Sequence, residues 1–174
     1  RETGSESQGE NMIPNNIAFN GKSYYEHDGK IIRRWYTIDK DGHYDIIIRI
    51  ISTKSNHMQG IALFFNDFRG TLRLNGVSLP VLKGKFKHYV FRENQIQADG
   101  LTLSVLAEKG HLVLANASQT LGNGHFECGA FGCAFWTETI AENHFRFHCN
   151  DHEYDDDFDD LIFDLYIEPL NDGM

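Results

Sequence analysis

The sequence predicts an all-β protein, an antiparallel β-sandwich of the jelly-roll kind with little or no helix. Turn-forming pairs recur at short intervals, and runs of β-branched and aromatic residues with a period of two lie between them. The pairs are Asn20-Gly21, Asp28-Gly29, Asp41-Gly42, Asn75-Gly76, Asp99-Gly100, Lys109-Gly110 and Asn123-Gly124. No segment shows a convincing helical period. About ten short strands in a chain of this length must fold back as two packed sheets.

The strands are expected at 31–38, 44–52, 61–65, 71–74, 86–91, 101–105, 112–114, 126–136, 145–149 and 161–167. In the last of these, Leu161, Phe163 and Leu165 alternate with Ile162, Asp164 and Tyr166. This alternation is typical of an antiparallel strand with one face in the core and one face toward solvent. The same pattern places Phe145, Phe147 and Cys149 together on one face, so we expect Cys149 to be buried.

The chain of 174 residues is expected to form one domain over 13–174. Residues 1–12 are polar, and we interpret them as a disordered extension or a remnant of a secretion vector. No apolar run approaches the roughly 18 residues of a membrane helix. The net charge of −9 argues against nucleic acid as a partner, because phosphates require a basic face.

An acidic stretch at 150–160 leads directly into the last strand. Eight carboxylates lie between Asp151 and Asp164 with no Lys or Arg among them, which leaves the rest of the chain close to neutral. Hard cations relieve such repulsion, and Ca²⁺ is the best candidate because it takes six to eight oxygen ligands. The alternative to a cation site is a solvated acidic loop. Phe158 is expected to pack inward with Leu161 and Phe163. The expected calcium ligands are Asp151, Asp155, Asp157, Asp159 and Asp160.

Residues 155–163, Asp-Asp-Asp-Phe-Asp-Asp-Leu-Ile-Phe, resemble a known signature. It is the D-x-D-[FY]-[ND]-D-L-[VI]-[FV] motif of secreted bacterial β-sandwich modules of the DUF4114 and LruC type, which occur in large surface and adhesin-like proteins. Asp159 stands where Asn is usual. The resemblance implies that Asp155, Asp157, Asp159 and Asp160 are calcium-binding positions, and that residue 161 begins a strand.

A second resemblance covers 71–77, 86–91 and 97–105, which contain an L-N-G turn, an aromatic strand and a G-L-T-L-S-V strand. These segments are similar to the hairpins of galactose-binding-like jelly-rolls. Thr102 stands where an Asn is usual in that family. The resemblance implies a carbohydrate-binding fold.

Aromatic side chains are the candidate ligand site. Pyranose rings stack on flat apolar faces, and neighbouring polar groups hydrogen-bond the hydroxyls. Trp136 lies among small residues and is expected in the core, whereas Trp35 has basic neighbours that favour exposure. The expected ligand-binding residues are Trp35, Tyr36, Arg33, Arg34 and Tyr24.

The cysteines leave several possibilities open. Cys128 and Cys133 could close a small loop, or Cys149 could pair with either of them. Zinc is a weaker alternative to calcium. Its expected ligands would be His148, Cys149 and His152 with Cys128 and Cys133, although their spacing matches no standard Cys/His pattern.

These observations favour an extracellular, calcium-stabilised, non-catalytic module that binds carbohydrate, such as a cell-surface glycan. Secretion is inferred from the vector-like residues 1–12, the sequon Asn116-Ala117-Ser118 and the calcium argument. The alternatives are a protein-interaction or adhesion module, in which Ca²⁺ is only structural, and a small sugar-active enzyme. We expect no enzyme, because no G-x-S-x-G is present and adjacent carboxylates rarely form a glycosidase pair.

Overall fold

The computed structural model describes residues 19, 22–84, 86–120, 124–128, 132–153, 155 and 157–170. The expected extension at 1–12 lies outside them. The strands are β1 (Tyr24–His27), β2 (Lys30–Arg33), β3 (Tyr36–Ile38), β4 (Gly42–Thr53), β5 (Gln59–Leu74), β6 (Val77–Leu79), β7 (His88–Arg92), β8 (Leu101–Gln119), β9 (Phe126–Glu127), β10 (Ala134–Ala141), β11 (His144–Asn150) and β12 (Leu161–Pro169). One 3-10 turn spans Glu93–Gln95. In these ranges, no helix has the length and hydropathy to span a bilayer. The all-β prediction is confirmed.

The strands form two layers that share one bent hairpin. The large layer has the order β1-β2-β10-β11-β12-β4-β8-β5-β6. Residues 101–107 of β8 pair with β4 in this layer. Residues 111–118 of the same strand pair with the first half of β5, and β3, β7 and β9 complete the small layer around them. All pairings are antiparallel, as a β-sandwich requires.

The shared hairpin bends where the pairing of β5 with β8 is interrupted between Asn66 and Gly70. Asp67 and Gly110 both have positive φ at this point, 51° and 75°. A Cβ atom on Gly110 would lie 2.1 Å from the Asp67 carbonyl oxygen, so only glycine fits. Lys109-Gly110 is therefore a bend inside β8, and its prediction as a turn between strands was wrong. The strands expected at 61–65 and 71–74 are therefore both part of β5, and those expected at 101–105 and 112–114 are both part of β8.

The core fills the space between the layers. Ile61, Leu63 and Leu112 of the small layer are fully buried in the same cluster as Ile46 and Phe163 of the large layer. Ring contacts also join the layers: Tyr36 of β3 meets Phe147 of β11 with centroids 5.1 Å apart. The layers are thus held by burial of apolar surface.

Other sequence expectations hold in part. Asp28-Gly29 and Asn75-Gly76 form two-residue hairpin turns with positive φ at both positions, as predicted. The expected strand at 31–38 is divided between β2 and β3. The one at 126–136 is divided between β9 and β10.

The final strand, β12, lies between β11 and β4. Leu161, Phe163 and Leu165 face the core as predicted. Asp164 was expected on a half-exposed face but is only 2% exposed. Arg146 donates to both of its carboxylate oxygens, at 2.7 and 3.0 Å, and His144 Nε2 lies 2.9 Å away. These cross-strand partners explain how a carboxylate is buried there.

Candidate functional site

The first candidate site is a cleft of about 730 Å³ on the outer face of the small layer, here called the outer cleft. Trp35 is 38% exposed and meets Phe64 edge-on, with ring centroids 5.2 Å apart. Phe64 stacks on His88 at 4.5 Å. The cleft is lined by Trp35, Thr37, Phe64, Asn66, Phe86, His88, Val113, Phe126 and Cys128. It is a predominantly aromatic surface with a few polar groups, as small-molecule sites often are.

The structure separates the expected ligand residues. Trp35 alone among them lines the outer cleft. Tyr36 is half-buried against the core. Arg34 lies over the Phe19 ring at 4.2 Å, and Arg33 lies 5.7 Å from the centroid of the Tyr24 ring on the β1–β2 hairpin. The structure thus does not bring these residues together at the outer cleft, because the chain turns between β2 and β3.

Trp136 is half-buried, and its expected place in the core holds only in part. It packs against the small cluster of Phe19, Ile32, Ala134 and Phe158. On its other side it stacks on His148 with ring centroids 3.9 Å apart and an interplanar angle of 4°. Trp136 does not line the outer cleft.

The second candidate site is the loop 150–160 at one end of the sandwich. Asp151 is 2% exposed and accepts hydrogen bonds from Ser55 Oγ, from Gln59 Nε2 at 3.3 Å and from the Glu153 amide at 2.9 Å. Asp160 is 6% exposed and accepts one from the Asp151 amide at 2.9 Å. These two carboxylates are therefore part of the buried framework of the loop.

The other expected calcium ligands lie nearer to solvent. Asp155 and Asp157 are exposed, and Asp159 lies 3.8 Å from the Lys54 ammonium. Among the described His, Cys, Asp and Glu side chains, the expected ligands include no three whose ligand atoms come within 4.8 Å of one another. The calcium site remains a prediction.

Phe158 is 4% exposed, so its predicted burial is confirmed. Its predicted partners were wrong, because it packs with Phe19, Ile32 and Ala134 in a cluster separate from the main core. Its φ of 53° turns the backbone, and its amide donates to Asn150 Oδ1 at 2.7 Å. The loop is thus anchored on the β2–β10 side of the large layer.

The expected zinc ligands do not come together. His148 points outward, where its Nε2 lies 3.1 Å from Glu138 Oε1, whereas Cys149 points into the main core. None of the three cysteines forms a disulfide. Burial raises the pKa of the Cys133 and Cys149 thiols, which makes both poor nucleophiles and metal ligands.

One of the expected zinc ligands, His152, instead converges with two side chains outside that set: His57, His152 and Glu153 place their ligand atoms within 4.8 Å of one another. The sequence did not predict this group, because His57 lies in the β4–β5 connection and no local spacing links it to the other two.

The sequon Asn116-Ala117-Ser118 was also misread. Asn116 lies in β8, is 1% exposed and donates to the Asn150 carbonyl at 2.7 Å, so it is not an accessible acceptor in the folded protein.

No protein-family model, no curated protein and no solved structure matches the chain. The fold and the two candidate sites define a β-sandwich module with an aromatic surface cleft and a polar loop at one end. Function therefore has to be argued from these sites.

Burial raises the pKa of Asp160 to about 7, and repulsion from Asp151, Asp155 and Asp159 adds to this shift. In EDTA, the free energy of unfolding is expected to fall as pH rises from about 4 to 7, because the folded protein then holds a proton that the unfolded chain, with a carboxyl pKa of about 3.9, has released. If the loop binds Ca²⁺, excess Ca²⁺ should reduce this fall by supplying the missing positive charge. Urea unfolding along a pH series measures both effects.

Asp160→Asn should remove most of the fall, because residue 160 then no longer titrates. Its amide oxygen can still accept the hydrogen bond from the Asp151 amide, so the loop keeps this contact. Asp157→Asn is the matched control in EDTA, because Asp157 is exposed, and it should keep the fall. The same pH profile in Asp160→Asn and the parent protein would contradict the assignment. Identical profiles in Ca²⁺ and EDTA would contradict the calcium prediction.

Proposed function

We propose that this protein is a non-catalytic carbohydrate-binding module that holds its ligand in the outer cleft. The observation that carries the proposal is the exposed Trp35 ring, which is fixed edge-on by Phe64 at the wall of a mostly aromatic cleft. A rigid aromatic face of this kind suits the apolar C–H face of a pyranose, and it loses little conformational entropy on binding.

Polar groups at the cleft complete the proposed recognition. Thr37 and Asn66 line it beside the aromatic rings and can hydrogen-bond sugar hydroxyls. The His88 ring is held by a contact of 2.8 Å from its Nδ1 to the Phe86 carbonyl oxygen, which leaves Nε2 as a further polar atom. Two or three such groups beside stacking faces are a usual basis for ligand orientation.

The absence of acidic groups from the cleft lining favours binding over hydrolysis. A glycosidase needs two carboxyl groups across the bond that it cleaves. Neither Asp nor Glu is among the described residues that line the outer cleft. In this proposal the partner class is a cell-surface glycan, which sets the module outside the cell. Calcium at the loop 150–160 acts as a stabiliser, since none of the described residues of that loop lines the cleft.

Trp35→Ala is expected to weaken glycan binding at least about tenfold, because about 1.4 kcal/mol of stacking and burial is lost. A glycan array identifies a ligand, and titration calorimetry of that ligand measures the change. Tyr24→Ala is the matched control, since Tyr24 is 42% exposed and lies outside the cleft. It should bind as the parent protein does.

Equal loss in both variants, or none in Trp35→Ala, would contradict the cleft assignment. An array without any bound glycan, while a protein ligand is captured through the same cleft, would replace the proposal by the adhesion-module alternative.

A further inference from the structure

Three ligating side chains meet at the end of the sandwich, away from the outer cleft. His57 Nε2 lies 3.2 Å from Glu153 Oε1, and the His57 and His152 rings have centroids 4.4 Å apart. His57 comes from the β4–β5 connection, while His152 and Glu153 come from the start of the acidic loop. Two imidazoles and a carboxylate from segments distant in sequence therefore lie close together. These are side chains that bind divalent transition metals.

His57 is buried beside the Glu153 carboxylate. The residue is 6% exposed, and its Nε2 faces Glu153 Oε1 at 3.2 Å. A cation bound here would accept the lone pair of Nε2, and the ring proton would then be on Nδ1.

His152 is already oriented for coordination. Its Nδ1 lies 2.6 Å from Ser118 Oγ, a contact made inside the sandwich by a residue that is fully buried. This contact fixes the ring and leaves Nε2 directed away from Ser118. Hydrogen bonding of the second ring nitrogen is the usual way in which proteins hold a metal-binding histidine.

The spacing fits a tetrahedral ion. Ligands about 2.05 Å from a tetrahedral Zn²⁺ lie about 3.3 Å from each other, which is close to the separation of His57 Nε2 and Glu153 Oε1. The His152–Glu153 separation, within 4.8 Å, can be shortened by the exposed Glu153 side chain, which is 59% accessible. The His57–His152 separation, also within 4.8 Å, requires a small shift of one imidazole ring. Two imidazoles with one carboxylate favour zinc over calcium, which takes oxygen ligands.

We infer that His57, His152 and Glu153 form a binding site for Zn²⁺ or a similar divalent transition metal, with a fourth position open to solvent. His57 also lines a surface cleft of about 590 Å³ with Ser55, Met58, Glu93 and Gln119, and Glu153 is itself exposed, so the group lies at the surface. Three protein ligands with one open position distinguish such a site from a closed structural zinc site. The ion would also tie the acidic loop to the β4–β5 connection.

The test uses the whole chain, stripped of metal with a chelator and then titrated with ZnCl₂ by calorimetry. We expect one Zn²⁺ per chain. Glu153→Gln and His152→Gln should each lower the affinity at least about tenfold, since a ligand is lost. Co²⁺ bound at the same site should give the strong visible absorption of a tetrahedral complex, and both variants should lose it.

His148→Gln is the matched control, because His148 also faces a carboxylate at 3.1 Å but no third ligand. It should bind Zn²⁺ as the parent protein does. Glu153→Gln changes an exposed side chain, so a folding defect does not obscure the result, and melting curves of the apo variants verify this. Unchanged zinc affinity in both ligand variants, or zinc binding that disappears in His148→Gln, would overturn the inference.

Discussion

Phe158→Ala is expected to lower the free energy of unfolding by about 3–5 kcal/mol, the usual cost of removing a buried phenylalanine ring. Phe158 is 4% exposed and fills the small cluster of Phe19, Ile32 and Ala134. The cavity would open beneath the acidic loop. The backbone cannot easily collapse into it, because the hydrogen bond from the Phe158 amide to Asn150 Oδ1 holds the loop in place. Urea denaturation measures the loss.

Phe86→Ala is a matched control for this experiment. Phe86 also has a positive φ, 70°, but its side chain is 76% exposed. The backbone conformation is therefore similar at the two positions, whereas the burial of the ring differs. Phe86→Ala should change stability by no more than about 0.5 kcal/mol. A small effect at Phe158, comparable to that at Phe86, would show that the second cluster does not anchor the loop.

Arg146→Ala is expected to cost about 3 kcal/mol at neutral pH, because it removes the guanidinium that neutralises the buried Asp164 carboxylate and leaves the contact with the His144 ring. This is the lower end of the range for a buried ion pair that loses one member, since Arg146 itself is 34% exposed. Arg69→Ala removes a comparable but exposed pair with Glu108, at 3.3 Å, and should cost less than about 1 kcal/mol.

The Arg146 effect should also depend on pH. Burial opposes ionisation of Asp164, but the hydrogen bonds from Arg146 and His144 outweigh it and hold its pKa below the usual range. The contribution of the network is therefore present above a pH of about 4, the unfolded-state pKa, and is lost as pH falls through the lower folded-state pKa. The difference between Arg146→Ala and the parent protein should shrink below that pH. A constant difference would indicate that Arg146 acts through packing alone.

The period-two pattern predicted most strands and their inward faces correctly, because in a sandwich one face of each strand must be apolar. It did not predict the continuity of β5 and β8. A Lys-Gly pair is compatible with both a turn and a bulge, and the close approach to Asp67 that selects the bulge involves a distant part of the chain.

The candidate sites were less predictable for the same reason. Trp35 was correctly chosen for exposure, but its partners Phe64 and His88 come from other strands. Asp164 was assigned to a half-exposed face because the pattern could not show that Arg146 would lie beside it. His57 and His152 are far apart in sequence and meet only in the folded chain, so no local motif indicates that they belong to one group.

The position of β12 has a consequence for synthesis of the chain. It is the last described strand in sequence, yet it pairs on both sides, with β11 and with β4, where Pro169 lies opposite Tyr44. Until it leaves the ribosome, two strand edges rich in Ile and Phe remain without their neighbour, and such edges are templates for intermolecular pairing. The pairing of β12 with β4 joins residues more than 100 positions apart in sequence, and folding that depends on such distant contacts is slow. Chaperone dependence and yield in recombinant production should therefore be governed by the time taken to deliver this one strand.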